Sequence, residues 1–265
     1  AHSLGMLVIA EGIEDESTLQ FLQQLGCDKA QGFFIGRPLH PDQIADWLQE
    51  RKTLIEQKRL QKLHSLNILD TPAEHRFDRI TRLAKRLFKI PISLVTFIDE
   101  DRQWFKSKVG VEFSETPRED AFCNLTIQHK DPLVVLDASK DPLFKDNPLV
   151  TGMPFIRFYA GYPLKAPSGE KLGSLCVIDD KPRFFSETDH QLLRELGMMV
   201  EEEIAANLML CEDHLTGLLN RLGFERRAQH ILDLCQTQQL TAALIYFDLD
   251  NFKRINDSEG HKAGD

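Results

Sequence analysis

The chain has 265 residues, 42% hydrophobic and 28% charged, the ordinary balance of a globular protein with room for one or two domains. A formal net charge of −9 gives it no electrostatic footprint for DNA or RNA, so an anionic substrate such as a nucleotide would need a metal ion or a local pocket. No apolar run approaches the roughly 18 residues of a membrane helix, and no signal-peptide pattern is present.

Five cysteines, Cys27, Cys123, Cys176, Cys211 and Cys235, show no C-x-x-C spacing. This points to a reducing cytoplasm and away from a zinc site or disulfide framework. The first residue is Ala1, directly before an apolar run, as in a piece cut from something larger. A membrane segment upstream stays open on this reading.

Residues 1–50 read as two βα units. Leu7 to Ala10 is a short apolar run ended by Glu11-Gly12, and Glu16 to Leu25 is amphipathic with Leu19, Leu22 and Leu25 inward. Gln31 to Ile35 reads as a second strand, Pro38 and Pro41 break the chain, and Asp42 caps a further helix. Strands alternating with helices imply a parallel sheet. Residues 51–63, charged and only intermittently apolar, read as a solvated helical connector.

Residues 64–185 carry short strands at Ile92–Ile98, Gln103–Val109, Leu133–Asp137, Phe158–Leu164 and Lys171–Ile178, with helices at 74–88 and 117–128. The class is α+β and mostly antiparallel, since several connections are too short for crossovers. Residues 186–212 form one long helix, opened by Ser186 and Asp189 in capping-box spacing. Leu193, Val200 and Asn207 fall seven apart, with Leu196 and Leu210 on a second seam. Two readings follow: a parallel dimer stalk with Asn207 fixing register, or a helix packed on its own domain. Residues 213–265 hold a turn, a helix over about 221–238, a strand Thr241–Phe247 ending at Asp248, and the start of another helix.

The densest chemistry is Asp248-Leu249-Asp250-Asn251-Phe252-Lys253, then Asn256-Asp257, Gly260-His261 and Gly264-Asp265. An apolar strand delivers two carboxylates at its C-terminal end, where open sheets bind ligands. Asp248 suits a hard divalent cation, and Lys253 is a point charge for phosphate. Asn256 and Asp265 can read the polar edge of a base. The alternative is that Asp248 and Asp250 merely end a strand.

Together with Asp213-x-Leu215-Thr216-Gly217-Leu218-x-Asn220-Arg221, this run resembles the GGDEF family, which makes cyclic di-GMP from two GTP molecules on a dimer. The resemblance implies Mg²⁺ (or Mn²⁺) on Asp248 and the Leu249 carbonyl. It implies substrate binding by Asn251, Phe252 and Lys253, the last two at the triphosphate, with Lys253 also catalytic. Asn256, His261 and Asp265 would line the guanine and ribose pocket. The signature that names the family lies beyond Asp265, so this stretch alone is expected not to cyclise GTP.

Residues 1–48, through Ala10-Glu11-Gly12-Ile13-Glu14, Gly26-Cys27-Asp28, Gln31-Gly32-Phe33 and Arg37-Pro38, resemble the end of an EAL phosphodiesterase domain, a TIM-type barrel hydrolysing cyclic di-GMP with two metals. That resemblance implies Glu11 near the metals as ligand or base, and Gln31 and Glu14 at further active-site positions. Two βα units cannot close a barrel, so hydrolysis by this stretch alone is not expected.

Residues 60–205 resemble GAF sensors, on Leu69-Asp70-Thr71-Pro72, Asp101 to Lys106, Ala121-Phe122-Cys123, Asn147 to Val150, Arg157 to Gly161 and Gly173 to Asp179. The resemblance implies a six-stranded sheet with helices and a small-molecule pocket whose ligand it does not name. Cys176, in an apolar strand, reads as a core thiol. Cys123 reads as buried packing or as a redox-sensing thiol. Arg157 and Tyr159 line a pocket or stabilise their strand. His190 and His214 read as solvated, and no cysteine is followed by the histidine that bilin attachment usually carries.

The whole reads as an EAL tail (1–50), connector (51–63), GAF domain (64–185), stalk helix (186–212) and GGDEF head (213–265), cytoplasmic and dimeric through 186–212. Two other readings are a non-catalytic GTP or cyclic-di-GMP effector, and a GAF ligand-binding module as the only functional unit.

Overall fold

A computed structural model describes residues 2–211, 213, 215–216, 218–250 and 252–260. The chain divides into two compact units, residues 1–56 and 57–265.

In the first unit, β1 (Ile9–Ala10) and β2 (Lys29–Ala30) pair in parallel, Ile9 beside Lys29 and Ala10 beside Ala30, with α1 (Glu16–Gln24) as the crossover. Asp15 starts the helix, accepting from Thr18 N–H at 2.7 Å. The strand expected over 31–35 lies at 29–30 instead. Residues 32–35 turn, with Ile35 and Gly36 N–H both bonded to the Gly32 carbonyl. Gly32 permits this because a Cβ there would lie 2.1 Å from the Ile13 carbonyl oxygen. Leu19 and Leu22 are half-buried, but Leu25 lies past the helix and is exposed, since two short strands offer α1 little apolar surface. Asp42 is not the cap expected of it. His40 precedes a 3-10 turn (Pro41–Gln43) that leads into α2 (Ile44–Ser65), and the Gln43 side chain accepts from His40 N–H at 3.2 Å.

The connector 51–63 falls within α2, and its end is not solvated. Leu63 is fully buried, and the buried Arg59 donates to the Ile98 carbonyl at 2.6 Å. Intermittent apolar residues were enough to dock one stripe of this otherwise polar helix.

The second unit is built on a six-stranded sheet in the order β5-β4-β3-β8-β7-β6, every pair antiparallel. The strands are β3 (Ile92–Ile98), β4 (Arg102–Val109), β5 (Glu115–Pro117), β6 (Leu133–Val135), β7 (Phe158–Lys165) and β8 (Lys171–Asp179). The helices of this sheet domain are α3 (His75–Phe88), α4 (Phe122–Thr126), α5 (Pro148–Thr151) and α6 (Glu187–Cys211). The helix expected over 117–128 shrinks to α4, because Glu115–Pro117 pairs with β4 as an edge strand, where proline is tolerated.

Both faces of the sheet are covered, so β3 is buried throughout. Alternate residues serve two cores. Val95, Phe97, Trp104, Phe158, Ala160, Tyr162, Leu175 and Val177 pack with α3 and α6, while Ile92, Leu94, Ile98, Phe105, Tyr159, Cys176 and Ile178 pack with α4 and its neighbouring loops.

Ser186 and Asp189 form the expected reciprocal cap of α6, with bonds of 2.8 and 3.2 Å. The heptad stripe faces inward. Leu193, Leu196, Val200 and Ile204 are buried against the sheet, and Asn207 donates to the Leu66 carbonyl at 3.1 Å and accepts from Arg76 at 3.2 Å. Of the two readings of this stripe, these contacts match the helix packed on its own domain: an apolar stripe serves whichever surface meets it first, and here the sheet does. The side chain of Leu210 lies outside the described ones.

After α6, Asp213 organises a tight turn, accepting from Thr216 N–H at 3.0 Å and Leu215 N–H at 3.2 Å. Asn220 caps α7 (Arg221–Gln238) through Gly223 N–H at 3.0 Å. The strand expected at Thr241–Phe247 does not form: residues 241–249 are exposed and in no regular element. A lone strand leaves its backbone groups to water, and none of the described strands pairs with this segment. A last helix, α8, spans Phe252–Glu259.

Candidate functional site

The sheet domain holds a cavity of about 30 Å³ between the sheet and α4. Ile92, Leu94 and Phe105 supply its apolar floor, and Phe122, Cys123 and Tyr159 supply one wall. The aromatic rings fix that wall: Phe122 stacks on Phe144 at 4.0 Å and tilts against Tyr159 at 5.1 Å.

Three buried side-chain oxygens lack a protein partner among the described residues: Ser93 Oγ, Gln103 Oε1 and Thr116 Oγ1. The last two residues line the cavity, 5% and 9% exposed. An unpaired buried polar oxygen costs about 1–3 kcal/mol, and two of these three belong to residues of the cavity lining.

Cys123 and Cys176 meet beside this cavity, their sulfurs 3.8 Å apart. Both are buried, and only Cys123 is part of the wall. Tyr159 Oη donates to Cys123 Sγ at 3.3 Å and shares a 2.6 Å bond with Thr126 Oγ1. Gly161 makes room for this hydroxyl, since a Cβ there would lie 2.2 Å from it. Burial alone would raise the Cys123 thiol, but hydrogen bonds led by Cys176, Ser174 and Thr96 outweigh it and bring the pKa down to about 7. The bond to Cys123, and burial, push Cys176 well up. Burial likewise raises Tyr159. The pair thus ionises at Cys123 first.

Arg157 is settled as structural, donating to the Val150 and Ile156 carbonyls at 2.9 and 3.0 Å. Tyr159 belongs to the cavity. His190 is half-buried, edge-on to Phe185 at 4.9 Å, and so is less solvated than its sequence context suggested. His214 lies outside the described residues. Gln103 and Thr116 had escaped sequence reading. The available signal was a glutamine on the same strand face as Phe105, at an inward position.

In the first unit, Glu11 follows β1 and Gln31 follows β2, so they share the C-terminal end of two adjacent parallel strands. Gln31 N–H donates to the Ala10 carbonyl at 2.7 Å, and Ile13 N–H to the Gln31 carbonyl at 3.1 Å. Glu11, Glu14 and Gln31 are exposed at this end.

At the other end of the chain, Asp248, Leu249 and Asp250 are exposed on irregular backbone, and the Asp248 carboxylate accepts from Leu249 N–H at 3.0 Å. Phe252 and Lys253 open α8 and are exposed. Asn251, His261 and Asp265 lie outside the described residues, as does the side chain of Asn256. Among the described residues no group of three or more His, Cys, Asp or Glu side chains could hold a metal ion. Asp248 and Asp250 alone do not complete a Mg²⁺ site.

Comparison with known proteins gives three family matches: the GAF domain over residues 72–204, the GGDEF diguanylate cyclase domain over 211–265 and the EAL domain over 1–38. The cyclic di-GMP phosphodiesterase PA2567 of Pseudomonas aeruginosa is 41% identical over 175 residues, covering 64% of this chain and 29% of that protein. The probable diguanylate cyclase DgcE of Escherichia coli is 34% identical over 107 residues, covering 40% of this chain and 8% of that protein. The diguanylate cyclase DgcP of Escherichia coli is 31% identical over 124 residues, covering 42% of this chain and 36% of that protein. The chain thus spans well under half the length of these curated relatives. The sheet, its two covered faces and the match over half the chain agree: the chain belongs to the GAF domain family, flanked by an EAL match at its beginning and a GGDEF match at its end.

Proposed function

We propose that the whole protein is a GAF-regulated enzyme of cyclic-di-GMP metabolism whose GGDEF head condenses two GTP molecules. The observation that carries this is the GGDEF match directly after the GAF domain, joined to it by α6 and the Asp213 turn. Asp248 and the Leu249 carbonyl are the proposed Mg²⁺ (or Mn²⁺) ligands. Asn251, Phe252, Lys253, Asn256, His261 and Asp265 are the proposed GTP contacts, with Lys253 countering phosphate charge. The protein would work in the cytoplasm; no described helix is long and apolar enough to cross a membrane.

Regulation is proposed to run from the cavity to α6. Tyr159 and Ile178 line the cavity, and the next residues along β7 and β8, Ala160 and Val177, pack in the core that holds Leu193 and Val200. A ligand in the cavity biases α6 only through different affinity for its two arrangements. Pairing of two heads as a homodimer through residues 186–212 would use the exposed side of α6, which carries Gln191, Glu195, Met198 and Glu202, because the inward stripe is occupied.

The test is cyclic-di-GMP formation from GTP and Mg²⁺ by the protein at its natural full length. Turnover that falls at least a hundredfold in Asp248→Ala is the expected result, given the weight of charge stabilisation in such sites. Full turnover in that variant, or GTP binding without turnover in the parent, would overturn the cyclase reading.

A second activity, phosphodiester hydrolysis of cyclic di-GMP, rests on the likeness to a protein named as such a phosphodiesterase and on Glu11, Glu14 and Gln31 sharing one strand end. In this reading Glu11 is a metal ligand or base and Glu14 and Gln31 contact substrate. Its loss in Glu11→Ala at full length, with cyclase activity retained, is the expected outcome.

A further inference from the structure

We propose that Cys123 and Cys176 form a dithiol that small hydroperoxides, entering the cavity beneath α4, oxidise to a disulfide. Three independent features point there. The sulfurs already lie 3.8 Å apart, with only Cys123 on the cavity wall. The cavity, at about 30 Å³, takes one or two molecules the size of water and nothing as large as a nucleotide. The Tyr159 hydroxyl, held by Thr126, donates to Cys123 Sγ and supports its thiolate. The inference concerns the GAF domain alone and stands whether or not the GGDEF head is a cyclase.

The chemistry balances with the peroxide as sole oxidant. The Cys123 thiolate attacks one peroxide oxygen, the O–O bond breaks, and hydroxide leaves as Cys123 becomes a sulfenic acid. The hydroxide takes the Cys176 proton and becomes water. The Cys176 thiolate then attacks Cys123 Sγ, forming the S–S bond and expelling hydroxide, which is protonated from solvent. Two thiols and one peroxide give one disulfide and two waters.

Closure must bring the sulfurs from 3.8 Å to about 2 Å. Cys176 is held in β8 between β3 and β7, whereas Cys123 rides on the five-residue α4. The movement therefore falls on α4, which also carries the cavity residue Phe122. Oxidation would reshape the cavity as well as seal it.

The experiment treats the intact chain with one equivalent of hydrogen peroxide, unfolds it in an alkylating reagent and maps the peptides. One disulfide joining Cys123 to Cys176 is expected, with Cys27, Cys211 and Cys235 recovered alkylated. In Cys176→Ser, dimedone should label Cys123. Recovery of Cys123 and Cys176 as free thiols after other cysteines have been oxidised would overturn the proposal, and the unmutated chain suffices for that result.

Discussion

Single side chains in the sheet domain are held by networks that predict how their loss will read. Tyr159→Phe removes a hydroxyl bonded to both Thr126 and Cys123 and should lower stability by about 1 kcal/mol in urea unfolding. Glu201 gives a pH signature. Burial raises its carboxyl above the ordinary value, although the Lys165 N–H it accepts at 2.8 Å works the other way. A raised pKa means that stability is whole below the unfolded value of 4.5 and declines as pH rises through the folded one. Glu201→Gln keeps the acceptor and does not titrate. Its urea midpoint should equal that of the parent in acid and exceed it at pH 7. Glu74 is opposite in sign. Burial opposes ionisation, but its 2.5 Å pair with Lys106 and its contact with Arg76 dominate and lower its pKa, so its contribution disappears as acid titrates the folded state below 4.5.

At the scale of elements, α6 decides most. Gly197 sits in mid-helix, where alanine would ordinarily stabilise by up to about 1 kcal/mol. Here a Cβ would lie 2.1 Å from the buried Tyr162 ring, so Gly197→Ala should destabilise by about 1–3 kcal/mol, measurable as a lower urea midpoint. Asn207→Leu separates the two roles considered for that residue. In a dimer seam a leucine would strengthen association, whereas loss of its bonds to Leu66 and Arg76 should cost the domain about 1–3 kcal/mol. The D-x-L-T-G-L run, conspicuous as a motif, works locally as turn chemistry. Asp213 gathers Leu215 and Thr216, and Leu218 N–H is 3.3 Å from the Thr216 hydroxyl.

Across the whole molecule, order of protection follows packing. Strands β3, β7 and β8 are buried on both faces, while Leu244, Ile245, Tyr246 and Phe247 are exposed on irregular backbone. Brief chymotrypsin treatment should cut near Tyr246 and Phe247 well before any bond between residues 92 and 179, because cleavage needs local opening and little opening is required there. Early cleavage within the sheet would contradict this packing.

Periodicity located five of the six sheet strands and helices α1, α3, α6 and α7, because alternation and 3.6-residue spacing are local properties of the chain, while the motifs at both ends were legible through their resemblance to known families. The edge strand Glu115–Pro117 escaped, since three residues carry no period and only pairing with β4 defines them. Tertiary structure likewise decided which surface claims an apolar stripe: the Leu193–Ile204 face of α6 and the Arg59–Leu63 end of α2 both went to their own domain. It placed Cys123 against Cys176, 53 positions apart, and brought Gln103 and Thr116 to the lining of one cavity. Those juxtapositions depend on how the sheet and α4 close on each other, a long-range outcome that no local pattern encodes. The residue types for nucleotide chemistry at Asp248 and Lys253 were legible as sequence, and the tertiary structure of the described residues leaves them exposed, because a binding site needs several elements at once.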